Sequence, residues 1–200
     1  DVLRIIVYAS LDVWTPKITD IHHLLTLNME VLSDVLTGIG VMSGTSIDGL
    51  DLIAVTFYNS NNKICYDVSA SETIPYSSTW KNSFLHATEL SAVGLRKLDV
   101  EFAHFISKSV LEFIKEKNWK PDFISSHGHT IFHQPNSGYT HQIGCGSTIA
   151  ALTGIQTVSD FRPGDVALGG QGAPLVPIGD QLLFSDFSYC LNLGGFANVS

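Results

Sequence analysis

The chain has 200 residues, with 11 Lys+Arg against 19 Asp+Glu, a net charge of −8 and a pI near 5.3. An acidic balance with no basic run leaves no electrostatic footprint for a phosphate backbone, so nucleic acid is not an expected partner. With 44% apolar and 15% charged residues it is expected to fold around a real core rather than stay disordered, and no apolar run reaches the ~18 residues of a bilayer span.

Residues 1–35 are apolar without a clean period, are broken at Thr15-Pro16, and read as a leader of unclear status. Arg4 is the only positive charge ahead of a short apolar run, a poor signal peptide. Cys65, Cys145 and Cys190 match neither a disulfide framework nor a CxxC site. A reducing, cytoplasmic setting is therefore expected. The chain starts on Asp and stops inside an apolar, Gly-containing segment, which reads as a fragment.

From Gly38 the signals sharpen. Ile39 to Met42 is a buried strand, Ser43 to Gly49 a turn of small and polar residues, and Asp51 to Tyr58 a second strand. After the Asn59 to Asn62 turn, Lys63 to Ile74 makes a third strand, so a three-stranded meander is expected. Helices follow over Ser77 to His86 and Ser91 to Lys117, the latter carrying a core stripe of Leu95, Leu98, Phe102, Phe105, Ile106 and Val110. Asp122 to Ser126 is a short strand that delivers His127-Gly128-His129-Thr130 at its C-terminal end, where open α/β sheets place ligands. Gly144 to Gly154 reads as a turn and helix, Ile155 to Ser159 as a strand, and Gly164 to Gly172 as a mobile functional loop. Tyr189 to Ser200 repeats the opening strand, Gly-rich turn and strand, which suggests an internal duplication with its second copy cut off.

Three groups carry chemistry. Gly44-Thr45-Ser46-Ile47-Asp48-Gly49 puts glycines, hydroxyls and a carboxylate in a bend, a pattern suited to cradling phosphate with Asp48 near Mg²⁺, against the plain alternative of a hairpin turn. It is not a P-loop, and Gly38-x-Gly40 fails the dinucleotide fingerprint because position 43 is Ser43. His127, His129, His133, His141 and Cys145 could ligate a metal, but no pair has a familiar zinc spacing, and neutral hydrogen-bonding histidines in a polar cleft are favoured. Asp160-Phe161-Arg162 places an acid and a guanidinium on one side of an extended chain, where Arg162 suits a carboxylate and a structural ion pair is the plain alternative. A serine hydrolase using Ser43 or Ser126 is disfavoured because no GxSxG elbow exists.

In order along the chain, Gly40 to Ser46 with Asp48, Gly49 and Asp51, Ser126 to Thr130, Asp160 to Arg162 with Asp165, Gly169 to Pro177, and Leu191 to Asn198 closely resemble the anhydro-N-acetylmuramic acid kinase family. The resemblance spans about Gly38 to Ser200. It implies an α/β actin-like, ribonuclease H-like ATPase fold of two related domains, with a first domain over 36–187 and the truncated start of a second over 188–200. It implies ATP-dependent phosphorylation of the 6-hydroxyl of 1,6-anhydro-N-acetylmuramic acid with hydrolytic opening of the anhydro ring, in peptidoglycan recycling, with Mg²⁺ as cofactor. It suggests a homodimer for the full-length protein. Carried over by motif, Gly44, Thr45, Ser46, Ile47, Asp48, Gly49, Leu50 and Asp51 form the first phosphate-binding hairpin, with Asp48 near the metal. Gly194, Gly195 and Asn198 belong to the second hairpin, and His127, Thr130, Asp160 and Arg162 line the sugar site, Arg162 meeting the lactyl carboxylate. Two departures stand out. His129 occupies a position where the family commonly has glutamine, and the family's catalytic aspartate, in a Tyr-Asp-Thr-Gly-Pro-Gly-Asn stretch, is expected beyond Ser200. The 200 residues alone are therefore expected to lack kinase activity, and a kinase for another sugar or a non-catalytic sugar-binding protein are the alternative readings.

Overall fold

A computed structural model describes residues 35–61, 63–172, 175–193 and 197–199. Nearly all of the expected leader, together with Gly194, Gly195 and the side chain of Asn198, lies outside the described residues. The chain opens with three antiparallel strands, β1 (Val35–Ser43), β2 (Gly49–Ser60) and β3 (Lys63–Pro75). Then come α1 (Ser78–Leu85), a 3₁₀ turn (Ala87–Glu89) and the long α2 (Ala92–Glu116). Strands β4 (Phe123–Gln134) and β5 (Tyr139–Ile143) form a hairpin, followed by α3 (Gly146–Thr153), β6 (Gln156–Val158), α4 (Phe161–Ala167) and α5 (Leu175–Leu183). A separate pair, β7 (Leu191–Leu193) and β8 (Ala197–Val199), is antiparallel.

The main sheet runs β3-β2-β1-β4-β5, with β6 also on β4. The meander supplies the antiparallel half, while β4 lies parallel to both β1 and β6. The first residues of β4 pair with β6 and its last with β5, so two strands share one edge of β4. Ser77 and Ser91 start the two helices as expected, each hydroxyl accepting a backbone N–H of the first turn, from Trp80 and Gly94. The α2 stripe meets the sheet as its spacing demands. Leu98, Phe102, Ile106, Val110 and Phe113 are buried against Ile39, Val41 and Ile124, with α1 contributing Phe84. Each such side chain contributes roughly 1.5–3 kcal/mol by leaving water. A smaller cluster of Val55, Phe57, Phe123 and Phe161 lies apart from it.

Three expectations change. The strand expected over Asp122 to Ser126 runs from Phe123 to Gln134, so the His-Gly-His-Thr group expected at its end lies within it, and β5 pairs with its second half. The register between β1 and β4 slips there, Val41 facing Ser126 but Ser43 facing His129. Gly128, at φ 70, absorbs the extra residue as a bulge. A bulge reverses the alternation, so the two histidines are not on one face as an unbroken strand would place them. His129 packs with Phe84 and Phe102 of the main core, whereas His127 meets Arg162 on α4. Finally, Asp160 to Arg162 is not extended. Asp160 sits at φ 58 before the first turn of α4, and that helix takes up the first part of the segment expected to be a loop.

Candidate active site at the ends of the parallel strands

The parallel strands β1, β4 and β6 point their C-terminal ends the same way, and the residues that follow them are the ones with chemical interest. This is where an open α/β sheet leaves room for a ligand, because the chain turns away on both sides.

After β1 the turn 44–48 is tight, with Ile47 N–H donating to Gly44 O at 3.2 Å and Ile47 itself left-handed at φ 54. Asp48 Oδ1 accepts from Ser46 Oγ at 2.8 Å and Gly49 N–H at 2.9 Å. The Ser46 hydroxyl outweighs slight desolvation and holds the Asp48 carboxyl below its ordinary value. Thr45, Ser46 and Asp48 are exposed, so hydroxyls and carboxylate face solvent. Gly49 opens β2 opposite Pro75 of β3, where a Cβ would lie 2.7 Å from Ile74 O and 2.8 Å from Thr73 Cγ2. Leu50 is fully buried, so its side chain belongs to the core, while Asp51 Oδ1 accepts the Thr73 hydroxyl at 2.6 Å.

The turn's first strand residue leads straight into the core. Ser43 Oγ accepts from Tyr76 OH at 2.7 Å and lies 2.8 Å from His129 Nδ1. His129 stacks on Phe84 with centroids 4.1 Å apart. Burial drives its pKa to about 4 and pushes the Tyr76 hydroxyl well up, so the imidazole is neutral and Tyr76 remains a donor. Neither Ser43 nor Tyr76 was foreseen in this role. Tyr76, after Pro75, carries no local signal of it.

On the other side, Arg162 Nε donates to His127 Nε2 at 2.9 Å, and its Nη1 donates to Gly172 O. Since Nε2 accepts, Nδ1 must carry the proton, and it lies 3.0 Å from Gly128 O, which accepts it. Burial and then the Arg162 charge bring His127 to about 4. His127 is thereby a neutral orienter of Arg162 rather than a poised base. Thr130 accepts from Gln142 Nε2 at 3.4 Å, across the β4–β5 pair. Gln142 donates also to Thr140, at 2.8 Å, and His133 Nδ1 lies 3.2 Å from the same hydroxyl. Asp160 directly precedes α4, its carboxyl raised by partial desolvation against the nearby His141.

The arrangement therefore sets a Gly/hydroxyl/carboxylate turn and a hydrogen-bonded His127–Arg162 pair at one end of the sheet. The antiparallel meander continued by parallel strands, with such a turn after the first strand, defines a domain of the actin-like, ribonuclease H-like ATPase class. Comparison with known proteins gives the family. Residues 37–200 match the model of the family described as anhydro-N-acetylmuramic acid kinase, and the chain belongs to that family. Curated relatives carrying that name include those of Acaryochloris marina, 42% identical over 171 residues, Photobacterium profundum, 39% identical over 175, and Vibrio cholerae, 39% identical over 175. Each alignment covers 81% of this chain, and the chain spans about half the length of these relatives, 45–46%. Among the described residues no helix is long and apolar enough to cross a membrane.

Proposed function

We propose that the protein to which this chain belongs transfers the γ-phosphoryl group of ATP to O6 of 1,6-anhydro-N-acetylmuramic acid while water adds at C1. The bridge C1–O6 bond breaks, O6 takes the phosphoryl group, ADP leaves and one proton is released. The observation that carries this reading is the placement of the 44–48 turn and the His127–Arg162 pair at the ends of adjacent parallel strands. Phosphoryl transfer depends chiefly on positioning and on neutralising charge; in this reading the turn positions the phosphates and Arg162 the sugar, and Mg²⁺ would supply the neutralisation.

In this reading Gly44 to Asp51 holds the phosphates of ATP, with backbone and hydroxyl groups of Thr45 and Ser46 toward them. Asp48 fits a role beside Mg²⁺, because its exposed carboxylate suits an ion held mainly by phosphate oxygens and water. The ion would neutralise charge on the β- and γ-phosphates. Arg162, oriented by His127, receives the lactyl carboxylate, and Thr130 and Asp160 bind sugar hydroxyl or amide groups. Gly194, Gly195 and Asn198 would complete the nucleotide site from the second domain. The catalytic base lies beyond Ser200. The setting is a cytoplasmic peptidoglycan-recycling step, with a homodimer as the full-length form.

The test is ADP release by the full-length protein with Mg-ATP, with and without the anhydrosugar. Sugar-dependent ADP together with a ring-opened 6-phosphate is the expected result, and residues 1–200 alone should give none. A folded full-length protein without sugar-dependent turnover would refute the substrate, and equal turnover of the anhydrosugar lacking a lactyl group would refute the role of Arg162.

A further inference from the structure

We infer that Asp165 is a positioning residue for the carboxylate-binding arginine, acting through the backbone of Gly172. Three contacts form a closed chain. Asp165 Oδ2 accepts the Gly172 N–H at 2.6 Å, Gly172 O accepts from Arg162 Nη1, and Arg162 Nε donates to His127 Nε2 at 2.9 Å. One peptide segment is thus held on its N–H side by a carboxylate, while its carbonyl holds the guanidinium. Asp165 and Arg162 lie on the same short helix, α4, three residues apart. The segment after the helix returns over both, fixed also by the Gly170 N–H to Asp165 O bond at 2.8 Å.

The glycines of this segment are accounted for by the same contacts. A Cβ on Gly170 would overlap the Asp165 carboxylate, so the carboxylate occupies the space a side chain would take. Gly172, at φ 64, is buried, and a Cβ there would lie 2.9 Å from Val166 Cγ2, 3.4 Å from Arg162 Cβ and 3.5 Å from His133 Cε1. Arg162 itself is partly buried, and burial lowers its pKa, so a fixed acceptor for Nη1 matters more than it would at a surface. Among the described residues, with Nε on His127 and one Nη1 hydrogen on Gly172 O, Nη2 and the second Nη1 hydrogen remain to meet a ligand carboxylate, in a direction set by the two bonds already made.

This inference rests on the proposed role of Arg162, so its test carries a readout that is independent of sugar. In the full-length protein, Asp165→Ala is expected to raise KM for the lactyl sugar about tenfold with kcat little changed, as loss of ground-state positioning requires. The anhydrosugar without the carboxylate should change by no more than about twofold. Asp165→Asn, whose amide oxygen can still accept the Gly172 N–H, should restore most of the loss. Gly170→Ala, which displaces the carboxylate without removing it, should reproduce Asp165→Ala if that variant folds poorly. Separately, the Arg162 Nε–H resonance and the Nδ1–H tautomer of His127, read by ¹⁵N NMR without sugar, should both shift in Asp165→Ala and remain in Asp165→Asn. Unchanged resonances, or an Asp165→Ala KM equal to wild type while Arg162→Ala raises it, would overturn the inference. If Arg162→Ala leaves sugar binding intact, the carboxylate role of Arg162 fails, and the resonances alone decide whether Asp165 sets the guanidinium.

Discussion

His129 offers a quantitative test of the buried network behind the phosphate turn. The residue is 3% exposed, stacked on Phe84, and hydrogen-bonded to the Ser43 hydroxyl, which in turn accepts from Tyr76. Its pKa is about 4 when folded, against an ordinary 6.5. A histidine lowered in this way stabilises the fold fully above its unfolded value, and that contribution is lost as pH falls from about 6.5 toward 4. Integrating the linkage from about pH 7 to about pH 5 gives a loss of roughly 2 kcal/mol for this one group. His127, also at about 4, adds a similar loss. The lowered carboxyl of Asp48 titrates further into acid, whereas the raised one of Asp160 moves toward this window with the opposite sign, and both are common to wild type and His129→Gln. His129→Gln removes one titration while keeping a hydrogen-bonding group toward Ser43. Urea unfolding of the full-length protein is followed by fluorescence, with Trp80 a local reporter because it stacks on Phe84 at 5.6 Å. The expected result is that acidification destabilises wild type by about 2 kcal/mol more than His129→Gln. Equal losses in the two proteins would refute the neutral, buried imidazole.

Two further outcomes follow from local geometry. Gly49→Ala should destabilise by about 1–3 kcal/mol, since the new Cβ meets the Ile74 carbonyl, which cannot move aside, as well as the Thr73 methyl; Gly164→Ala, inside α4 with open space around its Cβ, is the control and should be neutral or stabilising. A Gly49→Ala protein as stable as the control in urea would contradict the close approach of Gly49 to β3. Cys145 precedes α3, and although burial pushes its thiol up, hydrogen bonding with Ser147, Thr148 and Arg96 brings it down to about 7. Its alkylation rate should titrate near that value, and Ser147→Ala should move the midpoint upward more than Arg96→Ala; an ordinary thiol midpoint in wild type would count against these hydrogen bonds.

The parts of this fold that could be read in the sequence are those where one local period decides the outcome. The α2 stripe had to face a core because its apolar residues recur every three or four positions, and the meander followed from alternating strands separated by turn residues. The His-Gly-His-Thr group could not be read that way. Its conformation depends on a one-residue register slip against β1, and whether Gly128 absorbs that slip is settled by strand pairing across some eighty positions of chain. The consequence for function is direct: an unbroken strand would have set both histidines on one face, as a metal pair requires, whereas the bulge gives one to the core and the other to Arg162.

The same distinction separates naming a site residue from knowing its role. Arg162 could be singled out because a guanidinium in a motif is conspicuous, but the expectation of an extended Asp160–Arg162 pair assigned it the wrong neighbour. Its partners are His127, brought from β4 by the bulge, and Gly172, brought back over α4 by a turn of glycines. Neither contact follows from the spacing of the motif. Both follow from the absence of side chains at particular points, since Gly128 permits the slip and Gly170 makes room for the Asp165 carboxylate. In this chain the conspicuous residues carry the charge, and the glycines between them determine where that charge points.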